Sequence, residues 1–289
     1  MAKLRRSVPV EGRIDDYDVS RMHVVQDGPP DAATVLLIHG TAASVAWWTP
    51  VVPALAVRHH VIRVDLPGHG GSPPAPTYGV AEQASRVAGM LEGIGVESVV
   101  VAGHSSGGFV ATALAEHRPD LVRAVALVNT GPFPAALRPQ PAAVRALLTP
   151  PFSRVAWSLR SLMIPRGLST AFTRPVAIPD DLVAAAYDMS YGAFVHAPRA
   201  SSSYIAERSI PDRLAALDIP VLVIFGTDDH RWDSGAVHSY ELVPNAQVEM
   251  LAGIGHTPMF EAPEVTSRLL LEFAAAVEGP SIGFPGQAE

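Results

Sequence analysis

An apolar stretch runs into a cluster of glycines at "VVVAGHSSGGFVATALAEH", Val99 to His117 of the 289-residue chain. Two adjacent serines lie inside the cluster. Gly-x-Ser-x-Gly between a strand and a helix makes a turn so tight that the flanking positions tolerate no Cβ, and it presents the serine hydroxyl at the top of the sheet. The spacing selects Ser105: Gly103 and Gly107 flank it at the required offsets, whereas Ser106 would need glycines at 104 and 108 and meets His104 instead. Ser106 has another use. Its backbone N–H, at the positive end of the following helix, can face a developing oxyanion. The same letters also suit an ordinary glycine-rich strand-to-helix turn, so partners must decide.

A serine hydroxyl is a poor nucleophile at neutral pH without an adjacent base, and the base needs a carboxylate to fix its tautomer. "VLVIFGTDDHRWD" carries Asp228, Asp229 and Asp233 just past the carboxyl end of an apolar run, where sites in open α/β sheets gather. "LAGIGHTPMFEAPE" presents His256 in a glycine-bounded loop ahead of the last helix. Ser105, Asp229 and His256 thus follow one another as nucleophile, acid and base, with Asp228 as the fallback acid and Asp233 a remote one.

Positioning these groups takes a sheet. Val, Ile and Leu dominate the runs at 34–39, 60–65, 98–103, 123–129 and 219–226, which are apolar throughout, as strands buried on both faces are. Helical patterns alternate with them, at "VAEQASRVAGMLEGIG" and "FVATALAEHRP", so the fold class is α/β. The alternation stops at 132–211, which is rich in proline and scattered aromatics, and resumes at Ile219, through 246–251, to a last helix near 261–278. An interruption of that length carries its own helices. We therefore expect a core of 1–131 and 212–279, a helical cap (lid) at 132–211 with an apolar underside, and a flexible tail at 280–289.

Five segments in this order resemble the α/β-hydrolase fold superfamily: "LLIHGTAASVAWW", "DLPGHGGS", "GHSSGG", "FGTDD" and "GHTPMFEAPE". The resemblance implies a mostly parallel sheet flanked by helices, with the helical cap inserted late in the sheet. It places the acid three residues after Gly226, at Asp229, and implies that the N–H of Thr41 joins that of Ser106 in the oxyanion hole. His39 then supports that loop, and His69 lies where the family commonly carries a histidine. The implied activity is cofactor-free hydrolysis of an ester, thioester or lactone of an apolar small molecule. One rival is the carbon–carbon bond hydrolase branch, for which Arg154, Arg160, Arg166, Arg174 or Arg199 can offer polar binding groups. Another is a ligand-binding protein that kept the fold without turnover. Families with Asp in the nucleophile slot fit less well, since this chain has Ser105 there.

Composition narrows the field further. A net charge of −7 argues against nucleic-acid and anionic-membrane surfaces. Without cysteine there is neither a disulfide framework nor a thiolate site. The N-terminal stretch lacks an apolar leader core and no apolar run is long enough to span a bilayer, so the expected location is cytoplasmic. The eleven histidines show no metal-ligand spacing, and no metal is expected. His59 and His60, ahead of a strand, read as surface residues. Trp47 and Trp48 divide evenly between pocket lining and core. Nothing in the sequence signals an assembly state.

Overall fold

The computed structural model describes residues 13–140, 149 and 151–278. The tail expected to be flexible lies outside them. The strands are β1 (Arg13–Ile14), β2 (Tyr17–Asp18), β3 (Val24–Asp27), β4 (Thr34–Ile38), β5 (His60–Val64), β6 (Val99–His104), β7 (Val122–Val128), β8 (Val221–Gly226) and β9 (Ala246–Leu251). β1 and β2 form a small separate ribbon; the other seven make one sheet in the order β3-β5-β4-β6-β7-β8-β9. Every pairing in it is parallel except the antiparallel edge pair β3–β5.

The continuous apolar runs are what a sheet covered on both faces requires. Along β4, β6, β7 and β8 successive side chains go to opposite layers: Ile38, Val101, Leu127 and Val223 pack on one side, Leu37, Ala102, Ala126 and Leu222 on the other. Helices α1 (Val52–Leu55), α2 (Val80–Gly93) and α3 (Ser106–His117) follow β4, β5 and β6, with α2 and α3 covering the first layer through Val87, Leu91, Phe109 and Leu114. Between β7 and β8 lie α4 (Ser153–Ser158), α5 (Arg160–Ser169), α6 (Asp180–Asp188), α7 (Tyr191–Glu207) and α8 (Ile210–Leu214). After β9 come α9 (Pro258–Glu261) and α10 (Pro263–Glu278), and α10 covers the second layer with Leu269, Leu270 and Phe273. No helix among the described residues is long and apolar enough to cross a membrane.

The edge strand β3 is an addition to the sequence reading. Only Val24 and Val25 of its four residues are apolar, and the strand is half-exposed, so no apolar run announces it. It corrects one expectation. His59 and His60 are buried, at 3% and 8% exposure. His60 opens β5, and its Nε2 lies 2.9 Å from Oε1 of Gln26 on β3; the strand that the sequence concealed is the strand that covers this histidine.

Asp65, directly after β5, ties three segments together. Its buried carboxylate accepts the N–H groups of Val45 (2.7 Å) and Gly71 (2.9 Å) and meets His23 Nδ1 at 2.7 Å. Gly70 stands at φ +47°, and a Cβ there would lie 2.2 Å from Asp65 Oδ2. Burial pushes this carboxyl upward, but the bonds from His23, Gly71 and Val45 outweigh it and hold it below the usual carboxylate range. A group whose folded pKa is depressed stabilises the fold above its unfolded pKa, and loses that contribution as pH falls through the folded value. Asp65→Asn, which turns an amide toward these donors, should lower unfolding free energy at pH 7 by about 2 kcal/mol or more in urea titrations. The gap between variant and wild type should narrow as pH falls below the ordinary aspartate range.

Candidate active site

Ser105 sits between β6 and α3 at φ 53°, ψ −122°, a conformation that costs a non-glycine residue on the order of 1–3 kcal/mol. The surroundings hold it there. Its N–H donates to Val128 O at 2.9 Å, and its carbonyl accepts Gly108 N–H at 3.0 Å and Thr130 Oγ1–H at 3.0 Å. The flanking glycines are steric necessities: a Cβ at Gly103 would lie 2.5 Å from Gly107 O, and one at Gly107 2.4 Å from His39 O. The loop after β4 packs on this turn so closely that a Cβ on Gly40 would stand 3.0 Å from that of Ser105. In it, Thr41 Oγ1 lies 2.9 Å from Ser106 Oγ, so the two expected oxyanion-hole residues are neighbours. The small hollow that reaches this pair is lined by polar His69, Gln83 and, from α7, Ser201, together with apolar Leu66, Val110 and Ala197.

His39 fixes the loop through its tautomer. Nε2 accepts the N–H of Leu66 at 3.0 Å, so Nδ1 carries the proton and donates to Gly40 O at 2.7 Å. Burial holds this ring below the ordinary imidazole range, which keeps it neutral.

The three candidate carboxylates separate clearly. Asp228 is exposed and accepts from Thr227 Oγ1, and Asp233 accepts the N–H of Gly235 at the start of a 3-10 turn. Asp229 is 1% exposed, and its Oδ2 lies 2.8 Å from His256 Nδ1. That Oδ2 also accepts from Asn129 Nδ2 at 2.7 Å, while Oδ1 accepts the N–H groups of Arg231 (2.6 Å) and Trp232 (3.2 Å). Burial raises the Asp229 pKa, but His256, Asn129 and the Arg231 N–H more than reverse this and bring it to about 2. The carboxylate is therefore ionised at neutral pH and can only accept. His256 must donate from Nδ1, which leaves the lone pair on Nε2, a buried atom with no hydrogen-bond partner among the described residues. Burial lowers the His256 pKa, and Asp229 only partly opposes it. An imidazole held this way can take a proton from a hydroxyl brought against Nε2.

Three residues that sequence reasoning passed over hold this pair in place. Asn129, at the end of β7 with φ +45°, donates to Asp229 and to Gly255 O (3.1 Å) and accepts Gly226 N–H through Oδ1 (3.3 Å). Glu261 accepts the N–H groups on either side of His256, from Gly255 (3.1 Å) and Thr257 (3.4 Å), together with those of Thr173 (3.0 Å) and Arg174 (2.8 Å). His104, beside Ser105 in the chain, donates from Nε2 to the backbone carbonyl of His256 at 2.9 Å, with the two rings 4.9 Å apart. Burial, reinforced by the adjacent His256, holds His104 well below the ordinary range and so neutral. A signal existed for two of them: a polar residue closing a buried run at Asn129, and an acid five positions after His256 at Glu261. Trp47 and Trp48 both prove buried, and Trp47 stacks between His104 (6.0 Å) and Phe172 (6.1 Å). Among the described residues no group of three His, Asp or Glu side chains is placed to hold a metal ion.

A family profile described as the alpha/beta hydrolase fold matches residues 33–263. The chain belongs to the α/β-hydrolase family. An uncharacterized protein of Mycobacterium tuberculosis is 30% identical to this hydrolase-family chain over 245 residues, which cover 79% of the chain and 71% of the relative. The 2-hydroxy-6-oxononadienedioate/2-hydroxy-6-oxononatrienedioate hydrolase of Cupriavidus pinatubonensis is 28% identical over 284 residues, covering 90% of this chain and 96% of that one. The solved structure of the enol-lactonase from Burkholderia xenovorans superposes with a TM-score of 0.71 at 20% identity, over 88% of this chain and 96% of that one, a likeness of fold. Kinship of this kind supports hydrolysis as the reaction.

His104 touches no reacting atom, so it is expected to act as a positioning residue for the His256 loop. His104→Leu should lower kcat on a p-nitrophenyl ester about tenfold with little change in KM, by displacing His256. His104→Gln, whose amide can still donate to the same carbonyl, should recover most of that loss in steady-state assays.

Proposed function

We propose that this chain is a serine hydrolase that cleaves an ester, thioester or lactone of an apolar small molecule. The observation that carries this reading is the buried Asp229–His256 pair, with its bare Nε2, held by His104 beside the strained turn of Ser105. In this reading Ser105 Oγ attacks the acyl carbon and its proton passes to His256 Nε2. Asp229 stays ionised and stabilises the imidazolium. The N–H groups of Thr41 and Ser106 receive the oxyanion. The leaving group departs with the proton from His256, and water, deprotonated by the same nitrogen, then releases the acyl group from Ser105. Residues 132–211 serve as the cap, a role supported by the contacts of Thr173 Oγ1 with Asp228 O (2.9 Å) and of Thr257 Oγ1 with Ala171 O (2.8 Å) beside the pair.

Carbon–carbon bond hydrolysis is the second reading, favoured by the near full-length likeness to the Cupriavidus hydrolase. Assaying a chromogenic ring-cleavage product beside p-nitrophenyl esters separates the two, since the preferred substrate is the one with the higher kcat/KM.

Ser105→Ala should lower kcat/KM on the preferred substrate by about 10⁴ or more. A fluorophosphonate probe should label the wild type at Ser105 and leave the variant unlabelled, as read by intact mass. Labelling that survives Ser105→Ala, or turnover that does, would assign the chemistry elsewhere; failure of the wild type to label would favour a ligand-binding protein.

The pH profile offers an independent measurement. Neutral His256 is the active base, and its pKa lies below the ordinary 6.5 because burial disfavours the cation more than Asp229 favours it. The acid limb of kcat/KM should therefore be a single ionisation with a midpoint below 6.5. Asp229→Asn removes the main group favouring the cation, so its residual activity should show a lower midpoint still, with a rate about 10⁴-fold smaller.

A further inference from the structure

The whole-chain charge of −7 conceals a segregation. From Pro132 to Pro179 there is not one Asp or Glu, while Arg138, Arg145, Arg154, Arg160, Arg166 and Arg174 all fall in this stretch. Within it, Phe152, Val155, Leu159 and Leu162 are 57%, 50%, 44% and 59% exposed. Their spacing of three, four and three residues along the nearly continuous turns of α4 and α5 puts them on one side. The other side is fully used: Ser153 and Ala156 are buried, and Ile164 and Leu168 pack into the core layer that contains Trp47. These two helices thus present a second apolar face to solvent, bordered by arginine.

Arg138, Arg154, Arg160 and Arg174 enter no ion pair among the described residues. Among the described residues, Arg154 lies over the Tyr191 ring at 5.9 Å, Arg160 over Trp157 at 4.7 Å, and Arg138 and Arg174 donate only to backbone carbonyls. We propose that this face docks on an anionic lipid bilayer, with the four apolar side chains entering the interface and the Arg154 and Arg160 guanidinium groups, which flank the stripe on the same two helices, meeting lipid phosphates. An apolar stripe bordered by arginine is the composition of a helix that lies in the membrane interface, and guanidinium forks match phosphate oxygens. A negatively charged leaflet adds attraction for each basic group near its surface. Charge also argues against a second copy of this chain as the occupant: a two-fold contact through this face would set arginine against arginine. Docking here is independent of the reaction assigned to Ser105, and it places the bilayer on the outer side of helices whose inner side reaches Trp47.

The test mixes the full-length chain with vesicles of phosphatidylcholine alone, or of phosphatidylcholine and phosphatidylglycerol in equal parts, and reads the bound fraction by sedimentation. The mixed vesicles should bind the chain, increasing salt should release it, and the neutral vesicles should bind it at least about tenfold more weakly. Phe152→Ser with Leu162→Ser should weaken binding to the mixed vesicles about tenfold, and Arg154→Gln about fivefold, with thermal unfolding unchanged in both. Equal binding or equal failure on the two vesicles, or a double variant that binds like the wild type, would overturn the proposal. So would analytical ultracentrifugation showing a wild-type dimer that the double substitution converts to monomer, since the face would then be a self-interface.

Discussion

A carboxylate that leaves water must find donors for both oxygens, and the site around Asp229 is organised by that requirement. Its four donors come from three separate places in the chain: Asn129 at the end of β7, the Arg231 and Trp232 amides in the turn after β8, and His256 in the loop after β9. None is adjacent to Asp229 in sequence. Satisfying the buried charge therefore brings the ends of three neighbouring parallel strands into register, and the tautomer of His256 follows from it without any further instruction. Ser105 enters from a fourth place, and its positive φ persists because the amide and carbonyl on either side are committed to Val128, Gly108 and Thr130. Strain in the turn and charge in the pair are thus restrained by the same strand ends.

The parts of this arrangement that could be read in advance are those in which one residue type answers one local demand. Glycines around Ser105 report a turn that excludes Cβ atoms, and unbroken Val-Ile-Leu runs report strands covered twice. The resemblance of five ordered segments then supplied the superfamily, which the family profile bears out. The parts that stayed hidden are those in which a residue works through something distant. β3 belongs to the sheet because β5 offers it an edge, so its four residues need no apolar pattern of their own. His60 is buried by that strand, a fact absent from the residues around it. His104 fills a motif slot that any residue can fill, and only the fold shows its proton directed at the carbonyl of His256, 152 positions away. Glu261 looks like the first-turn acid of a helix, and its four backbone donors emerge only when the loop is closed around it.

The insertion between β7 and β8 shows why aromatic content alone is a poor guide to recognition. Its apolar residues divide between two opposite faces. Phe172 and Leu168 join the core layer and bring the insertion into contact with Trp47, whereas Phe152 and Leu159 turn outward. Exposed apolar side chains of this size are ordinary when isolated, and informative when they share a face with unpaired cations. From Pro132 to Pro179 the segment carries six of the chain's 21 basic residues and no acid, in a chain whose net charge is −7.

Glu261 links two parts of the molecule that have different jobs. One carboxylate holds the backbone on both sides of His256, and the same carboxylate holds the Thr173 and Arg174 amides of the insertion. The insertion and the loop carrying the imidazole are thus tied at one point, each through two backbone amides. Loss of the Glu261 carboxylate would therefore leave amides of the insertion and of the imidazole's loop without their acceptor together, rather than one at a time.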